Sequence, residues 1–377
     1  MAVPFPSDDD AKLVPPDQDE ARLLARGIIS AVTPPDGLTV LQRVLLRAVF
    51  VSMTGFEIDP AQAEPLSPED LALAMASRNE IFRDRIVQVM LIAELVLVPL
   101  PDVVAERVKR YAAELSVDDG MIDVAREYAQ GNLGLALIDF NRNGYTAGWS
   151  PDRSTSLHTS RALAEAWDMA VDDPELAQRW AELESFPAGS LGLSLAHFYR
   201  ARGFSYPGLA GSAPPYLAQH DWVHVVADYG TTVESELEVF GLIGRAIPDP
   251  RGFSLLAMVI GLFETGYLPA AAGLFQADRG HLSRAGVADR LADAMRRGAM
   301  CGRDLMGIDW FSYAEWSIPD VRHDLGIVAK SAAALSAGSV GPWQAGGISP
   351  FQLRSGQALA AGQGRAYDPF GAAVSGP

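Results

Sequence analysis

Hydrophobic residues recur at spacings of three and four along most of the chain, which is the period of a helix with one buried face. Between Glu20 and Val51, two such runs flank the turn that begins at Pro34, and this pattern predicts a helical hairpin. Further along, Ser67 and Pro68 precede two acidic residues, the order of an N-cap, a first helical proline and a charged first turn. Strand-like alternation is nearly absent, so we predict an all-α, multi-helical, bundle-like fold.

Polar, glycine-rich and proline-rich stretches divide the chain into four parts. Residues 1–20 are rich in Asp and Pro, and we expect them to be a disordered acidic tail. A polar stretch at 141–156 separates a helical region at 21–150, to which we assign no role, from a second helical region at 151–330. The last part, 331–377, is rich in Gly, Ala, Ser and Pro, and should be either disordered or laid over the body of the protein.

The chain is acidic and contains a single cysteine. Its 30 Lys and Arg residues stand against 47 Asp and Glu, a formal net charge of −17, which repels polyphosphates and argues against nucleic acid as a partner. The sole cysteine, Cys301, cannot form an internal disulfide or a cysteine-rich zinc site. Any metal must therefore be held by nitrogen and oxygen ligands.

The apolar segments indicate a protein that does not cross a membrane. The first residues lack the basic start and apolar core of a signal peptide, which predicts a cytoplasmic location. The longest apolar runs, at 86–100 and 255–275, are too short or too interrupted for a span of about 20 residues, so we expect buried helices. The second run is also the best candidate for a peripheral contact with the inner face of the membrane.

Two of the six histidines, His220 and His224, lie four residues apart, with Asp221 between them. At about 100° per residue on a helix, these three side chains fall within an arc of about 100°, so one ion could contact all three. Glu236 lies on the apolar stripe of the next predicted helix. A carboxylate there needs a compensating charge, and a divalent metal shared with the imidazoles supplies one.

The two predicted helices are separated at Gly230. The second helix should start at Thr231 or Thr232, and Thr231, with Glu234 three residues later, has the spacing of a capping box. Glu234 then has a structural role, and we expect it on the polar side of that helix together with Glu238. Taken alone, two histidines at this spacing are equally typical of a solvated helix face, so the residues by themselves leave both interpretations open.

The order His-Asp-x-x-His, eleven residues and then Glu resembles the signature of the coenzyme Q biosynthesis family known as Coq-four. Its four positions are occupied here by His220, Asp221, His224 and Glu236. The heptapeptide that begins at Phe186 is similar to the family's Leu-Pro-x-Gly-Ser-Leu-Gly, and the segment that begins at Val321 resembles its Leu-Arg-x-x-Leu-Gly-Ile. The likeness covers roughly residues 160–330.

The resemblance implies an all-helical protein that holds Zn²⁺, with Mg²⁺ or another divalent ion as alternatives. It would remove the C1 carboxylate of a prenylated hydroxybenzoate, with or without oxidation of that carbon, and Asp221 and His220 would be its catalytic residues. The same residues also fit a non-catalytic protein that binds a quinone intermediate or isoprenoid and scaffolds other quinone-biosynthesis enzymes around a structural metal. In either case we expect a homo-oligomer.

Other polar and aromatic residues carry weaker signals. Isolated histidines are more often surface or hydrogen-bonded groups than ligands, and we assign no chemistry to His158, His197, His281 and His323. Asp228 could orient an imidazole or face water. Aromatic clusters are more often core than ligand pockets, and both remain open for Trp310, Phe311, Tyr313 and Trp316. A tight turn is expected at Gly189 and Gly192.

Overall fold

The computed structural model describes residues 15–97, 100–117, 173–209, 212–213, 215–247, 251–260, 280–301 and 303–371. Their α-helices, numbered in chain order, are α1 (Gln18–Val32), α2 (Val40–Thr54), α3 (Pro68–Ala74), α4 (Glu80–Leu95), α5 (Asp102–Glu114), α6 (Pro174–Ala181), α7 (Leu191–Arg202), α8 (Pro215–Ala227), α9 (Val233–Ala246), α10 (Arg251–Ile260), α11 (Val287–Cys301), α12 (Ile318–Leu325), α13 (Ala332–Ser336) and α14 (Pro350–Gly362). Short 3₁₀ turns lie at Pro60–Gln62, Glu182–Ser185 and Trp310–Tyr313. Within the described ranges the only β pairing is an isolated bridge between Ser190 and Ser317. The all-α prediction is confirmed.

The predicted N-terminal hairpin is present as α1 and α2. Asp17 caps α1 by accepting two backbone hydrogen bonds, so residues 18–20 are helical and do not belong to the acidic tail predicted at 1–20. A capping box of Thr39 and Gln42 begins α2. Both helices of the hairpin therefore start at a side-chain cap and bury one face against the core.

Helices α9 and α11 connect the N-terminal helices to the rest of the protein. Helix α11 packs along both α9 and α2, and α10 packs against α4. The approach of α11 to α9 depends on glycine, because a Cβ at Gly298 would lie 2.2 Å from the carbonyl oxygen of Leu242. One hydrophobic core results, with Leu45 of α2 and Leu291 of α11 among its members.

Both long apolar runs are buried where the structure describes them. Helix α4 contains most of the run at 86–100, and α10 contains the first residues of the run at 255–275. Met90 and Leu256 are fully buried, as expected for core helices.

The rest of the second run and the domain boundary predicted at 141–156 lie outside the described residues. Among the helices that are described, none combines the length and apolar character that a bilayer span requires.

The part of the predicted 331–377 tail that the structure describes, 331–371, is laid over the helical body. We call residues 331–371 the C-terminal segment. It forms α13 and α14, and α14 packs along α7. The contact is close, since a Cβ at Gly356 would lie 2.1 Å from the carbonyl oxygen of Ala201. Tyr367 donates a hydrogen bond of 2.8 Å to the same oxygen. Of the two possibilities that the sequence left open, the covering role applies to this segment.

Candidate metal centre

Two helices joined by a tight turn place the residues of the signature. Helix α8 carries His220, Asp221 and His224, whereas α9 carries Glu236. Asp228 begins the turn in the left-handed region at φ 63°, which is uncommon for a residue other than glycine. The chain reverses there, and α9 packs against α8.

The capping box predicted at Thr231 and Glu234 is wrong. Thr232 is the N-cap of α9, and its hydroxyl accepts a hydrogen bond from the amide of Ser235. Thr231 is buried, and its hydroxyl bonds to other parts of the chain. The helix starts one residue later than the capping box implied, which is within the usual uncertainty of helix ends.

The signature residues converge on one buried point. One ligand atom from each of His220, Asp221 and His224 lies within 4.8 Å of the others. Glu236 reaches the same place, with Oε2 3.7 Å from Nε2 of His220 and 3.3 Å from Nε2 of His224. All four side chains are at most 1% exposed. The structure thus brings together the four residues that the sequence singled out, and their role as ligands remains a prediction.

Backbone carbonyl groups fix the orientation of both imidazoles. Nδ1 of His224 donates a hydrogen bond of 2.8 Å to the carbonyl oxygen of Gly230, and Nδ1 of His220 donates to that of Leu217. Because a carbonyl oxygen only accepts, each Nδ1 carries a hydrogen, so Nε2 is the nitrogen of each ring that could offer a lone pair to a metal. These Nε2 atoms face Glu236. Histidines that bind metals are commonly held in this way by the second ring nitrogen.

Asp221 is oriented by a buried tyrosine. Tyr199 of α7 donates a hydrogen bond of 2.5 Å to Oδ2 of Asp221, while Oδ1 lies 3.7 Å from Nε2 of His220. A hydrogen bond from a neutral phenol stabilises the carboxylate and fixes its plane without neutralising it. One carboxylate oxygen is therefore held by the tyrosine, and the other lies beside the imidazole.

The donor set fits a divalent cation. Two neutral imidazoles and two carboxylates carry a negative formal charge at a place from which water is excluded, and such burial is costly without a compensating cation. A divalent ion cancels this charge. Nitrogen and oxygen ligands of this kind hold Zn²⁺ in four-coordinate sites. The residues present are therefore suited to the metal that the signature implies.

Aromatic side chains flank the two imidazoles. The ring centroid of Phe240 lies 5.2 Å from that of His220, and the centroid of Phe198 lies 5.6 Å from that of His224. Apolar walls of this kind lower the local dielectric constant and strengthen the interactions between charges inside them. They also restrict the rotation of the imidazoles.

The aromatic group predicted as core or pocket is divided between core and surface. Trp310 is buried and stacks on Trp222 with ring centroids 6.0 Å apart, so it belongs to the core. Trp316 is 45% exposed and contacts the ring of Tyr313 edge to face.

The tight turn predicted at Gly189 and Gly192 is present at Gly189, whereas Gly192 lies in the first turn of α7. Gly189 adopts φ 84°, which favours glycine. The amide of Gly192 donates a hydrogen bond of 2.8 Å to the carbonyl oxygen of Ala314, and a Cβ at this glycine would lie 3.0 Å from the same oxygen. These contacts fix the start of the helix that carries Tyr199.

Glu234 and Glu238, which we expected on the polar side of α9, both form ion pairs with residues outside that helix. Glu234 pairs with His281 at 2.9 Å and with Arg284 at 2.6 Å. Although partial burial raises it, the hydrogen bond from His281 and the charge of these partners hold the pKa of Glu234 at about 2. Glu238 is buried and pairs with Arg290 of α11 at 2.6 Å. An acid between packed helices needs such a partner, and helical periodicity does not reveal it.

Asp228 pairs with a lysine. Its carboxylate is 41% exposed and lies 3.5 Å from Nζ of Lys330. Burial lowers the pKa of Lys330, and the charge of Asp228 opposes this effect. The imidazole of His224, which Asp228 could have oriented, is bonded instead to the carbonyl group of Gly230.

Three of the isolated histidines lie in the described residues, and each is either hydrogen-bonded or exposed. His197 is buried and donates a hydrogen bond of 2.8 Å from Nε2 to the backbone oxygen of Asp368; burial lowers its pKa. His281 pairs with Glu234, and His323 is exposed. His158 lies outside the described residues.

Sequence reasoning missed three residues around the site, namely Tyr199, Arg202 and Gln352, and gave Thr231 a capping role in place of its bond to Gln352. A signal was available for Arg202, because a charged residue in a helix as apolar as α7 must find partners if it is buried. The identity of those partners could not be predicted, since they lie far away along the chain.

No model of a known protein family matches the sequence, and no curated protein matches it. Among solved structures, the chain is similar to the crystal structure of a protein from Nostoc punctiforme that is proposed to act in ubiquinone biosynthesis. The two chains share 16% sequence identity with a TM-score of 0.29, and the match covers 66% of this chain and 99% of the Nostoc chain. A likeness of this strength establishes neither a shared fold nor a shared function.

Proposed function

We propose that this chain is a metal-dependent decarboxylase that removes the C1 carboxylate of a prenylated hydroxybenzoate in the biosynthesis of ubiquinone. The observation that carries the proposal is the buried convergence of His220, Asp221, His224 and Glu236. The signature of the Coq-four family specifies only an order of residues along the chain. Here the same four residues also meet in space, with the nitrogen lone pairs of both imidazoles turned toward a carboxylate.

The residues around the proposed ion keep its ligands in place. When bound, a divalent cation would hold and polarise the carboxylate of the substrate. The carbonyl groups of Leu217 and Gly230 hold the two imidazoles, so that the ligand positions depend on the backbone. Groups fixed in this way need little reorganisation when charge develops during a reaction.

Decarboxylation also requires a proton at the ring carbon that bears the carboxylate. Electron release from the para hydroxyl group of the substrate helps that carbon to accept it. The carbon–carbon bond then breaks, its electron pair returns to the ring, and carbon dioxide leaves. We assign the proton transfer to Oδ1 of Asp221, beside Nε2 of His220 at 3.7 Å. This carboxylate would first take up a proton from water and then pass it to the ring carbon, which regenerates the carboxylate. Tyr199 holds the other oxygen of the carboxylate meanwhile.

The burial of the site supports a second candidate function. A structural metal site is closed by four protein ligands, whereas a catalytic one keeps a position open for water or substrate. With all four side chains at most 1% exposed, the site also fits a structural metal. The protein would then bind a quinone intermediate or an isoprenoid and scaffold other enzymes of the pathway.

One set of samples separates the two functions. Metal content is measured in the purified protein, co-purifying lipids are identified by mass spectrometry, and carbon dioxide release is followed from carboxyl-labelled prenylated 4-hydroxybenzoate. The enzyme requires stoichiometric metal and release of label. The scaffold requires metal and tight binding of the compound without release. Absence of metal from the folded protein contradicts both functions.

A further inference from the structure

We infer that the C-terminal segment, residues 331–371, is part of the proposed metal centre: it positions His224 by holding the turn between α8 and α9, and bound metal in return stabilises the segment. The inference rests on the proposed metal site but not on the proposed decarboxylation. The resemblance to the Coq-four signature ends near residue 330, so it assigns no role to this segment.

A single peptide group connects His224 to the C-terminal segment. The carbonyl oxygen of Gly230 accepts the hydrogen bond from Nδ1 of His224. The N–H of the same planar peptide group belongs to Thr231 and donates a hydrogen bond of 2.8 Å to the carbonyl oxygen of Gly347. The plane of this peptide group, and with it the direction of the carbonyl group, is therefore fixed from the C-terminal segment.

The backbones of the turn and the segment are in direct contact. The amide of Gly230 donates a hydrogen bond of 3.0 Å to the carbonyl oxygen of Val340. A Cβ at Gly230 would lie 2.6 Å from Cα of Gly347, a distance that real Cβ atoms do not show. Only glycine permits this approach, so the two segments fit each other without intervening side chains.

A buried arginine ties the same turn to two further points of the segment. Arg202, at the end of α7, is fully buried. Its Nε donates a hydrogen bond of 2.8 Å to Oγ1 of Thr231, and Nη2 donates to the carbonyl oxygen of Pro342 at 3.1 Å. The hydroxyl of Thr231 in turn donates a hydrogen bond of 2.6 Å to Oε1 of Gln352 in α14. Connected buried hydrogen bonds of this kind are costly to break singly.

These contacts couple metal binding to the folding of the segment. The segment holds the peptide group that orients His224, so loosening the segment weakens the affinity for metal. Coupling between binding equilibria is reciprocal, so removal of the metal must loosen the segment. Loss of partners that orient a metal-binding histidine typically reduces metal affinity by about 10- to 100-fold.

The first test compares two glutamines of α14. Gln352 is buried and accepts the hydrogen bond from Thr231, whereas Gln357 is exposed. We expect Gln352→Leu to raise the dissociation constant for Zn²⁺ at least about tenfold and Gln357→Leu to leave it unchanged. Because Gln352 also accepts from the amide of Ser349 in the cap of α14, Thr231→Val serves as a second variant that leaves this cap intact. Wild-type affinity in folded Gln352→Leu and Thr231→Val would overturn the inference.

The second test needs no substitution. Hydrogen exchange is measured on the wild-type full chain with Zn²⁺ and after removal of the metal by a chelator. We expect removal to speed exchange in peptides that cover 228–232 and 339–352, and to leave α1 unchanged. Unchanged exchange at 339–352 after the metal has left overturns the inference. The proposed metal site is tested separately: it stands, whatever the exchange result, if wild type binds metal and His224→Ala does not. If wild type binds no metal, the metal site and the inference about the C-terminal segment both fail.

Discussion

Tyr199 and Asp221 are joined by a hydrogen bond of 2.5 Å between two fully buried side chains. The bond connects α7 to the helix that carries three of the four signature residues. Because the bond holds Oδ2 of Asp221, the other oxygen, Oδ1, lies beside His220. Oδ1 is therefore the oxygen that is available for metal binding or proton transfer. The signature does not include the tyrosine, yet the geometry of Asp221 depends on it.

Removal of this hydroxyl should weaken the site. Tyr199→Phe keeps the ring and deletes the donor, and a hydrogen bond to a charged group is worth about 1.5–3 kcal/mol, so we expect the affinity for Zn²⁺ to fall about tenfold or more. Tyr206→Phe is the matched control, since that hydroxyl bonds to Glu184 and its ring lies 5.5 Å from that of Tyr199. Competition with a chromophoric chelator measures both affinities. Equal effects of the two substitutions would show that Tyr199 acts only through general packing.

Deletion of one imidazole should remove the metal. His224→Ala takes away Nε2, one of the four proposed ligand atoms. The free energy of metal binding depends on the whole set of ligands, so we expect the purified variant to contain little metal. Metal content is measured by elemental analysis, and circular dichroism checks that the helices remain. Full occupancy in a folded His224→Ala variant would disprove the site assignment.

Glu234 and Glu236 lie within one turn of α9, but only Glu236 is a proposed metal ligand. Glu236 faces the imidazoles, whereas Glu234 pairs with His281 and Arg284. Glu236→Gln should therefore lose metal, and Glu234→Gln should keep it. Elemental analysis of both variants checks this difference. Equal loss of metal would mean that the site depends on the whole helix rather than on the carboxylate that points into it.

The ion pair of Glu234 should make stability depend on pH. Its pKa in the folded protein is about 2, below the ordinary 4.5, so the pair contributes stability above about pH 4.5 and loses it as the pH falls toward 2. We expect Glu234→Gln to lower the free energy of unfolding by about 1–2 kcal/mol at pH 7 and by about half as much at pH 3. Urea denaturation of both proteins at each pH measures this. A difference that does not shrink in acid would contradict the pairing.

The helices and the signature were predictable from the sequence because both depend on local spacing. One buried face produces the same hydrophobic period in any helix, and the four signature residues lie at fixed spacings on two consecutive helices. Helix α1 was predicted in this way, and so was the convergence of His220 with His224. Neither inference requires knowledge of a distant part of the chain.

The supporting residues were not predictable because their partners are remote. Thr231 bonds to Gln352, which lies 121 residues later, and Glu238 is neutralised by Arg290 from another helix. The composition of the C-terminal segment, rich in Gly, Ala, Ser and Pro, left open whether it is disordered or laid over the body of the protein. In the structure its glycines instead allow close backbone contacts, which composition cannot distinguish from flexibility.

Release of carbon dioxide tests most directly whether the protein decarboxylates a prenylated hydroxybenzoate at the proposed metal site. The measurement is release of labelled carbon dioxide from carboxyl-labelled prenylated 4-hydroxybenzoate by wild type and Asp221→Asn, with metal content determined in the same samples. We predict release by metal-loaded wild type, and a variant that keeps much of its metal but loses turnover about 100-fold or more, because Asp221 delivers the proton. Metal-loaded wild type that binds the compound tightly and releases no carbon dioxide would contradict the claim and favour the scaffold.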